Sequence, residues 1–169
     1  KQAEEELKKT RQHYRNLIRN ASEAIYVVQD DILRMANPQL AELLGYREEE
    51  LLSLSLTTMV HEDDRAMVVE QYRRRLRGEP VLRFSFRLLR KDGRVCWVDT
   101  SGILIAWDRR PAVMVFLTDI TDRKRAEESL QENEEKYRLV VENSRDAIYI
   151  HKDNRLWFVN RRSAEVTGY

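Results

Sequence analysis

The chain has 169 residues, 42% of them hydrophobic, which is enough to build one ordinary core and fits one domain with extensions. Lysine plus arginine (30) and aspartate plus glutamate (29) nearly cancel, so the net charge of +1 gives no reason to expect nucleic acid or a membrane surface as partner. No apolar run reaches the roughly 20 residues that span a bilayer. The single cysteine, Cys96, excludes an intramolecular disulfide and suits a reducing compartment, so we expect a cytoplasmic region.

The sequence contains an ungapped internal repeat. Residues 1–46 match residues 124–169 at 18 of 46 positions when the chain is shifted by 123 residues. A long fixed period predicts tandem units that each fold around their own core, joined by a repeated connector. We therefore predict four segments: a linker helix over 1–19, a complete domain over 20–121, a connector helix over 122–143, and the truncated start of a second domain over 144–169.

The charged segment at the start predicts an amphipathic helix. Within residues 1–19, apolar residues recur at spacings of four and three, including Leu7, Tyr14 and Leu17. The repeated segment keeps the same register. Neither stripe is apolar enough to form an autonomous coiled coil, so docking or dimerisation must stabilise these helices.

Two strands follow in the sequence. The β-branched and aromatic residues of segments 24–28 and 32–36 favour strands, and residues 29–31 favour a turn between them. This pattern predicts an antiparallel pair.

Short helices come next. Asn37 and Pro38 suit the N-cap and the first position of a helix that we expect to run to Leu44. Gly45 favours a helix end at that point. Residues 48–52 predict one further helical turn.

The second half of the unit predicts one longer helix and three strands. The helix runs from Arg65 to Arg77, and its predicted apolar side consists of Met67, Val68, Tyr72 and Leu76. The strands are predicted over residues 82–88, 95–106 and 112–117, with turns at 91–94 and 109–111. The last strand is apolar on both faces, which indicates a central position in an antiparallel sheet.

This order of elements, together with local motifs, resembles the PAS domain family. The motifs lie in order between residues 20 and 125: Asn37, Gly45-Tyr46 with Glu49-Glu50-Leu51, His61-Glu62-Asp63-Asp64-Arg65, Arg90-Lys91-Asp92-Gly93 with Trp97-Val98, and Asp119-Ile120-Thr121-Asp122-Arg123-Lys124. The resemblance implies an α+β fold, in which a five-stranded antiparallel sheet carries short helices on one face and amphipathic helices flank it. It also implies a sensor and dimerisation module of a bacterial signalling protein, such as a sensor histidine kinase or diguanylate cyclase.

Other chemistry has weaker support. Cys96 lies on a predicted strand beside Trp97, which favours a small packed residue over the reactive thiol of a flavin photoreceptor. The acidic residues 62–64 precede a helix, where negative charge interacts favourably with the helix dipole. At the other end of this helix, where positive charge is favourable, successive faces carry Arg73, Arg74, Arg75 and Arg77. Since no phosphate loop or nucleophile motif is present, we predict no enzyme, no metal site and no evident cofactor in this region.

The leading functional hypothesis is signal relay in a homodimer. The relay is predicted at Asp119, Ile120 and Thr121, where the last strand becomes the exit helix; Asp119 would pair with a basic group such as Arg94, and Thr121 would cap the helix. The dimer interface is predicted to involve Leu7, Tyr14 and Leu17 against a sheet face that contains Trp97 and Val115. The partners are then a second copy and a downstream output domain, with neither nucleic acid nor a membrane.

The alternative hypothesis is a receptor for a small ligand of unknown class in the PAS core. The candidate lining residues are apolar, and ordinary core packing predicts the same set. They are Ile25, Val27, Met35, Leu40, Leu44, Leu56, Met59, Phe84, Phe86, Val98 and Met114.

Overall fold

The computed structural model describes the backbone of residues 2–153 and 155–168, and the side chains of residues 5, 6, 9, 10, 12–153 and 155–168. The chain divides into two compact units, Lys1–Thr121 and Asp122–Tyr169. No described helix is both long enough and apolar enough to cross a membrane.

In its described residues, the first unit contains four α-helices and five strands. The helices are α1 (Gln2–Arg19), α2 (Pro38–Leu44), α3 (Glu48–Leu51) and α4 (Arg65–Leu76), with 3₁₀ turns at Leu56–Met59 and Glu62–Asp64. The strands are β1 (Ala24–Gln29), β2 (Ile32–Ala36), β3 (Phe84–Leu89), β4 (Val95–Trp107) and β5 (Arg110–Asp119).

The five strands form one antiparallel sheet in the order β2-β1-β5-β4-β3. The last strand in sequence, β5, therefore lies at the centre, as its apolar residues on both faces predict. Short helices and α4 cover one face, and the main core lies between them and the sheet. The predicted α+β fold is confirmed.

Two element boundaries differ from the prediction. The turn between β4 and β5 consists of Asp108 and Arg109, both with positive φ (47° and 62°), so Arg110 already belongs to the strand. A two-residue turn in which both residues have positive φ matches the right-handed twist of the flanking strands. Leu82 is 87% exposed and lies outside β3, so the alternating strand begins only at Phe84.

The buried side of α4 also differs from the prediction. Val68, Tyr72 and Arg75 are buried, whereas Met67 is 39% exposed. Residues 68, 72 and 75 follow one another at steps of four and three, so they lie on one helix face. A charged side chain therefore lies on the core face of α4, and Leu76 is half-buried and packs against the same core, as predicted.

Asn37 is the polar junction of the first unit. Its side-chain oxygen accepts from the backbone N–H of Ile25 (2.9 Å) and of Leu40 (3.1 Å), so it caps α2 and also holds β1. Its amide donates to the backbone oxygens of Ile18 (3.2 Å) and Glu23 (2.9 Å). One buried side chain thus ties the end of α1, β1 and α2 together.

The second unit repeats this local structure. It contains α5 (Thr121–Glu142) except for its first residue, β6 (Tyr149–Lys152), β7 (Arg155–Val159) and α6 (Arg161–Thr167). Asn160 accepts from the N–H groups of Ile148 (2.9 Å) and Ser163 (3.0 Å), as Asn37 does in the first unit. The β-bulge between residues 150 and 151 also corresponds to that between residues 27 and 28.

The strands and short helix of this unit leave much apolar surface uncovered. The exposed side chains are Tyr149, Ile150, Leu156, Trp157, Val159 and Val166. A two-stranded sheet is marginal in water. We therefore predict that residues 147–169 form the least stable part of the chain.

Candidate functional site

The end of β5 is bound to β4 through the backbone of Trp97. The N–H of Ile120 donates to the Trp97 oxygen (2.9 Å), and the Trp97 N–H donates to the hydroxyl of Thr121 (3.0 Å). Ile120 itself is buried. The three residues predicted for relay are therefore brought together, with Trp97 as a fourth member; we call this group the β5–α5 junction.

The side chains of the junction have different partners from those predicted. Asp119 pairs with Arg90 (3.6 Å), because Arg94 is engaged with Asp92 in its own turn (2.8 Å). The Asp119 carboxylate also accepts from the backbone N–H (2.9 Å) and the hydroxyl of Thr121. Thus Asp119 accepts the first N–H of α5, while the Thr121 hydroxyl binds β4 instead of capping its own helix.

A chain of polar contacts leads from the start of α4 to this junction. The Asp64 carboxylate, just before α4, accepts from the backbone N–H of Arg87 (2.8 Å) and from its guanidinium (2.8 and 3.0 Å). These hydrogen bonds lower the pKa of Asp64. The Arg87 guanidinium lies over the Trp97 ring, 5.6 Å from its centroid, which is cation–π geometry. The acidic residues before α4 therefore bind a neighbouring strand as well as facing the helix dipole.

The eleven candidate pocket residues divide between the two faces of the sheet. Seven lie in or against the main core: Leu40, Leu44, Leu56, Met59, Phe84, Phe86 and Val98. The other four lie on the opposite face of the sheet: Ile25, Val27, Met35 and Met114. Ile25 and Val27 flank the core residue Tyr26 in β1, and Val27 pairs with both methionines. The prediction was wrong for these four, because Tyr26 points into the core and adjacent strand residues point to opposite faces.

A small cavity lies under α4. Its volume is about 10 Å³, and its walls include Tyr26, Tyr72, Arg75, Phe84 and Thr100. Burial lowers the pKa of the Arg75 guanidinium and raises the pKa of the Tyr26 phenol. These polar residues were missing from the predicted lining. Helical spacing places Arg75 on the same face as Val68 and Tyr72, but it places Leu76 there equally well, so spacing alone does not identify the arginine.

The predicted interface residues do not share one surface. Val115 is buried in the main core, since it pairs with Tyr26 in the adjacent strand, so it cannot lie on the outer face with Trp97. Tyr14 and Leu17 are 63% and 57% exposed on α1. The side chain of Leu7 lies outside the described residues.

Cys96 is fully buried on β4, and burial raises the pKa of its thiol. The described part of the chain has no group of three or more histidine, cysteine or acidic side chains placed to hold a metal ion.

Comparisons with known proteins agree with this architecture. A family model described as PAS fold matches residues 34–117, and one described as PAS domain matches residues 135–169. The PAS domain of an HTR-like protein from Haloarcula marismortui has 25% identity and a TM-score of 0.58, over 70% of this chain and 98% of that one.

Two curated relatives are signalling proteins. Sporulation kinase A of Bacillus subtilis is 22% identical over 148 residues, which cover 87% of this chain and 24% of the kinase. Sensor protein TdiS of Thauera aromatica is 26% identical over 130 residues, which cover 76% of this chain and 24% of the relative. This chain therefore spans a quarter or less of these relatives. On its fold and both matches, the chain belongs to the PAS domain family, a family of sensory modules in signal transduction, with one full domain and the start of a second.

Proposed function

We propose that the first PAS domain relays a signal from its core through the β5–α5 junction to the exit helix α5. The observation that supports this most is the double attachment of Trp97 to residues 120 and 121. A movement of β4 relative to β5 must break or shift these hydrogen bonds, and α5 begins at the second of them.

The polar chain from Asp64 through Arg87 to Trp97 supplies a physical connection to the other side of the domain. It joins the N-terminal end of α4, which covers the core, to the strand that holds the junction. This continuous series of contacts supports a relay. Only a measured change in the coupling between the domain and its output establishes one.

The test joins residues 1–169 to the output domain of the parent protein and measures regulation in variants. Thr121→Val keeps the shape of the side chain but removes the acceptor for the Trp97 N–H. We expect regulation to weaken strongly, since a change of a few kcal/mol moves a two-state equilibrium from one side to the other. Thr118→Val is the matched control, because Thr118 is on the same strand and its hydroxyl binds Glu23 instead (3.1 Å). Equal regulation in both variants, with the fold intact by circular dichroism, would defeat the relay.

A homodimer is the second part of the proposal. The exposed apolar residues Tyr14 and Leu17 of α1 support it, as do Ile103, Met114 and Phe116, which face outward from the sheet on the side away from α4. Leu17→Asp should weaken association in sedimentation experiments, because a charge would be placed in the contact. Leu82→Asp, at an exposed residue outside the helices, is the control. Undiminished association of Leu17→Asp would place the interface elsewhere.

The output domain and the cellular location also belong to the proposal. The kinase relative, of which the matched region covers 24%, supports a regulatory role without catalysis in this region. A histidine kinase or diguanylate cyclase domain would lie elsewhere in the parent protein. The single buried thiol suits the cytoplasm, where we propose that this region works.

A further inference from the structure

The core of the first unit holds an arginine whose charge is not matched. Arg75 is 6% exposed, in the last turn of α4. Its Nε and Nη2 atoms are buried and have no hydrogen-bond partner among the described residues. Arginine is almost never buried without a partner, because removing an ion from water is strongly unfavourable.

The surroundings of the guanidinium do not neutralise it. Its Cζ lies 5.5 Å from the centroid of the Phe84 ring, and a Cβ placed on Gly102 would be only 3.1 Å from the same atom. The phenol of Tyr26 is the ionisable neighbour; a tyrosine is uncharged at neutral pH, and burial raises the pKa of this one further. No described carboxylate forms an ion pair with Arg75.

The two unpaired atoms select one kind of partner. Nε and Nη2 share one edge of the planar guanidinium, from which two parallel N–H bonds fit the two oxygens of a carboxylate. The hydroxyl of Thr100 is also buried without a partner among the described residues, and it also lines the cavity. The site thus has donors for one carboxylate, and no described acid fills them.

The remaining walls limit the rest of the ligand. Val28, Val68, Phe86 and Val115 line the cavity, so beyond the carboxylate the site is apolar. We propose that the core of this PAS domain is a receptor site for a small monocarboxylate with a short apolar tail, bound by Arg75. This deepens the proposed relay function and rests on it for its effect on output.

The ligand must open the site in order to enter. A cavity of about 10 Å³ holds at most one water molecule, which can accept from the two N–H groups but brings no negative charge to the buried guanidinium, as a carboxylate does. Of the three buried side chains of α4, one is this arginine, so Val68 and Tyr72, with the half-buried Leu76, hold the helix in the core. Displacement of α4 would act on Asp64, which immediately precedes it, and so on Arg87 and Trp97.

The binding test uses the 169-residue chain with sodium acetate, propionate, butyrate and benzoate, each compared with sodium chloride at equal ionic strength. We expect at least one carboxylate to raise the melting temperature by several degrees with saturation, because a ligand that binds only the folded state stabilises it. Arg75→Met should abolish the shift. Arg75→Lys should weaken the apparent affinity about tenfold or more, because lysine lacks the planar fork.

Arg73→Met is the matched control. It removes the same charge from the same helical turn at an exposed position, and it should leave the shift unchanged. If Arg75→Met does not fold, the deciding measurement is the NMR resonance of the Arg75 Nε–H in the parent chain. Its chemical shift should change with added carboxylate until the site is saturated. A shift that chloride reproduces, a shift that persists in Arg75→Met, or no saturable response to any of the four salts overturns the proposal.

The result is separable from the relay. If no carboxylate binds while Thr121→Val still uncouples the output domain, the ligand assignment fails and the relay stands. If a carboxylate binds through Arg75 while Thr121→Val regulates normally, the receptor site stands and the relay through the β5–α5 junction fails.

Discussion

Asn37 offers a sharp test of how the first domain is assembled. In Asn37→Ala, α2 loses its N-cap, worth about 1 kcal/mol. The buried N–H of Ile25 also loses its acceptor, and a buried unsatisfied donor costs roughly 1–3 kcal/mol. We therefore expect about 3 kcal/mol of destabilisation, out of the roughly 5–15 kcal/mol that stabilise a typical domain.

Urea denaturation followed by circular dichroism measures this change. The midpoint should fall by about 2 M with an unchanged slope. Asn160→Ala removes the corresponding side chain from the second unit, so it should leave the main transition in place. A loss below about 1 kcal/mol in Asn37→Ala would mean that water replaces the side chain, and the junction argument would be wrong.

Asn37→Asp separates the acceptor role from the donor role. The variant keeps both acceptor bonds but turns a carboxylate oxygen toward the backbone oxygens of Ile18 and Glu23, where the amide donated. The charged form is disfavoured in the folded state, so the folded pKa of the new carboxyl should be raised. Its stability deficit should consequently shrink at low pH and grow as pH rises through that pKa. A deficit independent of pH would contradict this.

Further predictions concern other sites. Asp64→Asn should lower the unfolding free energy by about 2 kcal/mol, because charge-assisted bonds to Arg87 are lost. Since the folded pKa of Asp64 is lowered, this contribution is present above the ordinary aspartate pKa and should disappear as pH falls through the folded value; equal deficits at pH 7 and at very low pH would refute it. Gly45→Ala should destabilise by about 1–2 kcal/mol, because residue 45 has φ +74°, and an unchanged melting temperature would contradict this. Cys96 should react with a thiol reagent only at the rate of unfolding, and rapid labelling under native conditions would show that it is accessible.

The local parts of this fold could be predicted from sequence because they depend on neighbouring residues. Asn37 caps α2 and Gly45 ends it with positive φ, since both properties belong to those residue types. The two-sided apolar pattern of β5 placed it at the centre of the sheet, because only a central strand is covered on both faces. The repeat aligns Asn160 with Asn37, and the structure shows the corresponding pair of backbone hydrogen bonds at both positions.

The tertiary structure decided which face each residue occupies. A strand with apolar residues on both sides carries no marker of which side meets the helices, so Val115 and Trp97 could not be separated by pattern. The sequence predicted Thr121 as a helix cap. Its hydroxyl instead accepts from the backbone N–H of Trp97, which is too distant in sequence for a local pattern to indicate. Arg75 looked like surface charge at a helix end, since helix periodicity alone cannot show that β4 and Phe84 close over it. The pairing register of β4 and β5 decides which residues become partners across the sheet. Because this register joins residues that are distant in sequence, no local pattern predicts it.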